Sequence, residues 1–318
     1  MSPQDGDTVL RAMERVAQIP DKDRPASGKN LLFTEHSVPQ VALAHLRLGE
    51  VMVQLQMLTS EQQQHVLLRQ AGTTIPFGEC ALRLNLITPK QLEQALAAQF
   101  AYSVPVIDDQ PFTRDLVAAH TPFGGYSEAI RTVASRLMSQ WWTPTNKAIT
   151  ITSAAPREGR SHVAANLAVA VAQFGRRTLL IDADLRNPRQ HKIFGVSQHP
   201  GLSRILCGVI SDELVRPVSF SPNLSLITAG PTPPNAVELL SREEFGTLLR
   251  HAQRSFDMVI VDSPSSTQHV DIEIIAKATG SALIVSSENR TRLRPLNALK
   301  ESLTNSGVNI AGIVINAA

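Results

Sequence analysis

The sequence predicts an α/β fold: a parallel sheet covered by helices on both faces, preceded by a small helical tandem-repeat domain. Three observations carry this. From residue 148 onward, short apolar runs alternate with helical periodicities, the pattern that buries a parallel sheet between two helical layers. The first of these runs opens into a turn-rich loop and then a helix. Before them, residues 48–59 are echoed 29 positions downstream by residues 77–88, an internal repeat at fixed offset.

The chain of 318 residues is long enough for two domains. With 18% charged residues, 43% hydrophobic residues and a net charge of +2, it is neither disordered nor strongly nucleic-acid-binding in character. Only Cys80 and Cys207 occur, which suits a reducing cytoplasm and supplies no disulfide or metal framework. The start, Met1-Ser2-Pro3-Gln4-Asp5, lacks the charged and apolar blocks of a signal peptide. No uninterrupted apolar run approaches the roughly 20 residues of a membrane helix, so membrane association is expected to come through a partner.

In chain order, residues 1–36 read as a mobile leader with one short helical pattern at 9–17. Residues 37–110 are the repeat domain, each copy a short helix, a capping Thr (Thr59, Thr88) and a second amphipathic helix. The run Val104-Pro105-Val106-Ile107 closes it as a short strand, and Pro111, Pro122, Gly124 and Gly125 mark 111–125 as a linker. The last domain, 126–318, begins with a helix over 127–138 ending at the anchor pair Trp141-Trp142. Later strands are expected at 224–228, 258–261, 282–286 and 310–315, and helices at 238–255, 272–279 and 293–305. Arg290, Arg292 and Arg294 form a basic group, read as a solvated loop or as a contact for nucleotide, a partner's acids or DNA. The histidines show no metal spacing.

The centre of that domain is residues 148–186. The β-branched run Ile149-Thr150-Ile151-Thr152 is a strand, and Asn166, Leu167, Val169, Ala170 and Val171 carry helical spacing beyond the loop. Such a loop turns successive N–H groups inward at the positive end of a helix dipole, and so binds phosphate oxygens. The P-loop spelling G-x-x-x-x-G-K-[ST] is met by Ala154-Ala155-Pro156-Arg157-Glu158-Gly159-Arg160-Ser161. Its second glycine and its hydroxyl match. Arg160 keeps lysine's charge in a larger, forked group, and Arg157 is costly if its backbone needs φ > 0.

A second strand, 178–181, closes on Asp182-Ala183-Asp184-Leu185-Arg186, and a third, 258–261, on Asp262-Ser263-Pro264. Ligands bind outside the carboxyl ends of parallel strands, so these carboxylates are expected to share one crevice with the loop. An Asp at such a strand end suits a Mg²⁺-associated carboxylate; taken singly, each also suits a helix cap or an Asx turn.

On these residues, segment 127–316 resembles the bacterial tyrosine kinases of the exopolysaccharide type, a branch of the MinD/ParA group of ATPases. It has the phosphate loop, a D-x-D-x-R motif at Asp182, Asp184 and Arg186, and an apolar run followed by D-[ST]-P at 259–264. The phrase Asp184-Leu185-Arg186-Asn187-Pro188-Arg189-Gln190-His191 and the loop ending Gly159-Arg160-Ser161 are most similar to the small soluble chain-length determinant kinases of the EpsG type. The resemblance implies ATP and Mg²⁺ as cofactors. Ala154, Ala155, Pro156, Arg157, Glu158, Gly159, Arg160, Ser161 and His162 would hold the nucleotide with Arg186. Ser161 and Asp182 would organise Mg²⁺, and Asp262 would act on it through water. Asp184 would help activate the attacking hydroxyl, Arg160 would join the catalytic group, and Asn316 would read adenine.

It further implies phosphoryl transfer in control of exopolysaccharide chain length, with a membrane-embedded polysaccharide chain-length protein as partner. The chain would be cytoplasmic, peripheral to the inner membrane through that partner. A homo-oligomer would assemble through the Glu128/Arg131 helix, although Ala134 stands where the E-x-x-R-x-x-R pattern has its second arginine. Many such kinases carry a tyrosine-rich tail as their own substrate. The tyrosines of this sequence are Tyr102 and Tyr126, so the acceptor is expected on a partner or at Tyr126. The alternatives are a MinD/ParA-like ATPase switch and a nucleotide-sensing adaptor.

The repeat domain is similar to the N-terminal domain of type II secretion and pilus ATPases, in some of which tandem R-L-G…Q motifs bind cyclic di-GMP. Arg47-Leu48-Gly49 and Gln70 match one motif; the second copy starts Pro76-Phe77-Gly78, and Gln56 and Asn85 replace the mid-motif glycine. Cyclic di-GMP binding and plain protein docking are both expected readings.

Overall fold

The structure is a computed structural model that describes residues 46–99, 112–209, 214–266 and 270–317. The leader, the strand at 104–107 and Tyr102 lie outside these residues. The chain divides into two compact units, one ending at Val106 and the other running from Ile107 to Ala318.

In the first unit the repeat is realised helix for helix: α1 Leu48–Gln54, α2 Ser60–Gln70, α3 Phe77–Arg83 and α4 Pro89–Gln99. Thr59 accepts the Gln62 N–H at 3.1 Å while the Gln62 side chain accepts the Thr59 N–H at 2.8 Å. Thr88 and Gln91 make the same reciprocal pair at 3.2 and 2.8 Å, so both second helices start from a capping box. Gly49 and Gly78 hold equivalent places where a Cβ would stand 2.8 Å from Phe77 Cζ and 2.5 Å from Leu92 Cδ1. Small residues there let the copies pack closely around Val51, Met52, Val66, Ala81 and Ala95.

The terminal glutamines show the same symmetry. Gln70 donates to the Ile75 carbonyl and Gln99 to the Leu46 carbonyl, each at 2.9 Å. The last residue of each copy therefore fastens the start of the other. Gln56 and Asn85 take φ of 55° and 54°, the left-handed region in which only glycine is free of strain. A left-handed non-glycine residue costs roughly 1–2 kcal/mol, less for Asn. Gln56→Gly is expected to stabilise this unit by up to about 1 kcal/mol after glycine's entropy cost, read as slower amide exchange across α1–α4. Unchanged or faster exchange would show that the turn carries no strain.

The second unit holds seven strands: β1 Ala148–Ser153, β2 Thr178–Asp182, β3 Arg216–Val218, β4 Ser221–Ile227, β5 Met258–Asp262, β6 Ser281–Ser287 and β7 Asn309–Asn316. Their order is β3-β4-β2-β5-β1-β6-β7, parallel except where β3 runs against β4. The helices are α5 Val117–His120, α6 Gly125–Arg136, α7 Arg160–Gln173, α8 Gln190–Ile193, α9 Leu202–Leu206, α10 Ala236–Leu240, α11 Glu243–Ser255, α12 Asp271–Thr279 and α13 Leu293–Asn305.

Strand alternation sorts the core into two faces. Ile149, Ile151, Leu180, Met258 and Ile260 pack with α5, α6 and α7. Ala148, Leu179, Ile181, Val259 and Val261 pack with α9, α10 and α11. The central strands β1, β2 and β5 are buried along their whole length, as continuous apolar runs require. By the same alternation Asp182 and Asp262, each following a residue of the second face, turn towards the α7 face.

Four features differ from the expectation. Residues 112–120 are not a linker: Phe112, Leu116, Ala118 and Ala119 lie in the main core, and the buried Asn166 side chain accepts the Ala118 N–H at 2.8 Å. The helix expected over 238–255 is two helices, broken where the Ser241 hydroxyl bonds the Val237 carbonyl at 2.8 Å and Arg242 turns extended. The short edge strand β3 carries Pro217, which hid it in the sequence and is tolerated only at an edge. Helix α6 starts at Gly125 and passes at Leu137 into a π-turn ending at Trp141. Trp141 is buried, and Trp142 donates to the Asp257 carbonyl at 2.7 Å with Arg176 over its ring, so the pair anchors the core as expected.

Candidate nucleotide site

The sheet brings the three expected segments together. Asp182 and Asp262 pair in register on neighbouring strands, and Ile151 of β1 pairs with Asp262 on the other side. The loop after β1 lies over these ends and opens α7. A cleft of about 680 Å³ is lined by loop residues 156–161, His162, Asp184, Arg189 and Asn316, with Asp115 and Tyr126 at its side. Ala154 is buried beneath it. Among the described residues no group of three or more His, Cys, Asp or Glu side chains is arranged to hold a metal ion.

The loop is strained and braced. Gly159, its last residue before the helix, has φ of 86°, and a Cβ there would stand 2.1 Å from Asn316 Nδ2. Arg157 also has positive φ, 62°, so the cost foreseen for a side chain at that position is incurred. Glu158 is 3% exposed and serves as the brace. One carboxylate oxygen accepts the Ala155 N–H at 2.9 Å and the other accepts the Thr291 hydroxyl. Thr291 in turn accepts the Ser287 N–H at 2.7 Å. Asn316 donates to the Glu158 carbonyl at 3.3 Å, so its amide supports the loop. Of the basic group at 290–294, whose arginines are exposed, it is the intervening Thr291 that reaches the loop.

The carboxylates are compensated differently. Asp182 is fully buried and accepts the N–H groups of Arg189, Gln190 and Asp184 at 3.1, 3.0 and 3.3 Å. Burial, with the like charge of Asp262 beside it, nevertheless pushes its carboxyl well above the usual range. Asp262, also fully buried, accepts Gln190 Nε2 at 2.8 Å. Burial raises it too, opposed by the Arg160 charge and by bonds from Gln190 and Ser161. Asp184 accepts the Asn187 N–H at 2.9 Å. Arg160 closes the group: it bonds Ser153 Oγ at 3.1 Å and Asp184 Oδ2 at 2.9 Å, and its Nε faces Asp262 Oδ1 at 3.4 Å.

Arg186 stands elsewhere. Its guanidinium pairs with the buried Asp271 at the start of α12, at 2.7 and 3.3 Å, and Arg186 is not among the residues that line the cleft. Gln190, absent from the expected set, links the Ser161 carbonyl to Asp262 at 3.0 and 2.8 Å. Tyr126 packs on His162 with ring centroids 5.1 Å apart. Its hydroxyl is buried without a hydrogen-bond partner, and burial raises its pKa. Burial lowers His162, with Asp115 opposing.

The ParA family model, described as NUBPL iron-transfer P-loop NTPase, matches residues 145–318. The tyrosine-protein kinase YwqD of Bacillus subtilis is 35% identical over 203 residues, covering 64% of this chain and 86% of that protein. This chain belongs to the ParA-type P-loop NTPases, in their bacterial tyrosine-kinase branch. The tyrosine-protein kinase etk of Escherichia coli is 33% identical over 202 residues, 63% of this chain but only 28% of that longer protein. Its kinase-domain structure superposes with a TM-score of 0.60 at 31% identity, covering 64% of this chain and 80% of that one. The chimerical protein CapA2B2 gives 0.61 at 30% identity, covering 70% and 98%. The part of this P-loop kinase-family chain that matches thus includes the whole loop-and-carboxylate site. Among its described residues no helix is long and apolar enough to cross a membrane.

A carboxyl raised in the folded state favours folding while protonated; its contribution is complete below the ordinary carboxylate range and is lost as pH climbs through the raised value. Asp182→Asn is therefore expected to melt above the wild type at about pH 8 without ligand, the gain shrinking towards about pH 4. A difference independent of pH would show that Asp182 stays ionised in the fold.

Proposed function

We propose that this chain is an ATP-dependent protein-tyrosine kinase that regulates exopolysaccharide assembly. The observation that carries the reading is the convergence of the braced loop, Arg160 and Asp184 on one cleft, with Asp262 buried against Arg160. The loop N–H groups and the α7 dipole would receive the phosphates, with Arg160 reaching the terminal ones. The residues fit Mg²⁺: Ser161, Asp182 and Asp262 offer hard oxygens, and Asp262 Oδ1 is buried with no hydrogen-bond partner. Ser161 and Asp262 would hold the ion with Asp182 behind them, and it would neutralise charge on the transferred phosphoryl group.

Asp184, at the cleft wall, would accept the proton of an incoming phenol as its oxygen bonds to the γ-phosphorus and ADP leaves. Positioning and charge neutralisation supply most of the catalysis in such a transfer. The acceptor is a tyrosine of a partner or Tyr126, which lines the same cleft. The partner is a membrane-embedded polysaccharide chain-length protein, and through it the chain would sit at the inner membrane. Glu128 and Arg131, proposed for self-assembly, pair with each other on α6, while Ala134 is buried. For the repeat unit, docking of a protein is favoured over cyclic di-GMP, because Gln70 and Gln99 are engaged by backbone carbonyls and Pro76 replaces one arginine.

Labelled ATP with Mg²⁺ and a tyrosine-containing peptide is expected to yield phosphotyrosine, and Asp184→Asn to slow it by roughly 10²–10⁴-fold. Release of phosphate without phosphotyrosine would replace this reading with the ATPase switch that the ParA family also accommodates. An unslowed Asp184→Asn enzyme would remove Asp184 from proton transfer.

A further inference from the structure

Arg160 does not extend into the open cleft. Its side chain is 10% exposed and lies inward between Asp184, 4% exposed, and Asp262, fully buried. Arg160 Nε and Asp262 Oδ1 face each other across 3.4 Å, and neither has a hydrogen-bond partner. Asp182 takes no part in this pairing, since its oxygens are spent on backbone N–H groups. Two buried carboxylates thus share one guanidinium, and one of them, Asp262, is a residue proposed above to hold Mg²⁺.

We propose that Arg160 is the resident counter-ion of a masked divalent-cation site. In the ligand-free protein its guanidinium stands in for the cation, so the ion does not bind alone; nucleotide and cation enter together as Arg160 is drawn from Asp184 and Asp262 onto the phosphates. The inference rests on the nucleotide-site reading above. Its physical basis is that a buried carboxylate without compensation is strongly unfavourable, so the group facing Asp262 must leave and be replaced in one event. A forked guanidinium can face two carboxylates through different nitrogens. A lysine ammonium is a point charge on a thinner stem, and would mask the pair less completely.

The test uses Mn²⁺ as a spectroscopic substitute for Mg²⁺, with bound and free ion distinguished by electron paramagnetic resonance on the full chain. Wild type is expected to bind no Mn²⁺ until ADP is added, then one ion. Arg160→Met is expected to bind Mn²⁺ without nucleotide at least about tenfold more tightly than wild type, and to gain thermal stability from it. Adding Asp262→Asn should abolish both effects. Wild-type binding of Mn²⁺ alone, or a folded Arg160→Met variant that binds none, would overturn the proposal. If Arg160→Met does not fold, wild type decides: Mn²⁺ bound only with ADP supports masking, and Mn²⁺ bound without ADP refutes it. Fluorescent ADP titrated into wild type reports separately on the nucleotide-site reading. Failure to bind it with or without metal sinks that reading, whereas ADP binding together with nucleotide-free Mn²⁺ binding sinks only the masking.

Discussion

Asp182 and Asp262 lie side by side on neighbouring strands, out of contact with water, and much of the local conformation is what two buried carboxylates require. Each must be given donors, because desolvation and mutual repulsion both act against the charged forms. For Asp182 the donors are three backbone N–H groups from 184, 189 and 190, so the chain leaving β2 has to wrap back over the strand end. For Asp262 they are the Gln190 amide and the Arg160 charge, which fixes α8 and the first residue of α7 on the same point. Sheet register, loop path and helix start are thereby tied to one pair of side chains.

The loop above them is held by a different device. Arg157 and Gly159 have positive φ, a conformation that persists only where surroundings enforce it. Glu158 supplies the enforcement from inside the loop, with Thr291 and Asn316 supporting it from the β6 and β7 ends. An acidic residue inside a phosphate-binding loop looks adverse on charge alone. Being 3% exposed and occupied at both oxygens, it acts as a structural clamp.

The parallel sheet and the meeting of the loop with Asp182, Asp184 and Asp262 could be read from sequence because strand ends in such a sheet share an edge by topology. The tandem repeat was equally visible, since Gln70 and Gln99, Thr59 and Thr88, and Gly49 and Gly78 recur at one offset and play one role each. Pairings between distant side chains left no such trace. Nothing in the motif D-x-D-x-R indicates that Arg186 meets Asp271. Thr291 reads as any hydroxyl residue between arginines, and Gln190 as any polar helix residue. Residues 112–120 read as a linker because their prolines and glycines flank the segment, while the buried Leu116, Ala118 and Ala119 are too few to show a period.

Unsatisfied polar atoms bear on the same site. A folded protein leaves few buried polar groups unpaired, and each asks for a reason. In the repeat unit the described side chains leave none; its capping pairs and crossed glutamines close on themselves. In the second unit nine buried polar atoms of the described residues have no partner, and four of them, Tyr126 Oη, Arg160 Nε, Gln190 Oε1 and Asp262 Oδ1, belong to residues in or directly behind the cleft that holds the loop. Such atoms are costly when unpaired, and two of the four, Arg160 Nε and Asp262 Oδ1, face each other across 3.4 Å. A polyanionic ligand that draws Arg160 outward, with a cation to take its place beside Asp262, would relieve two of the four in a single step.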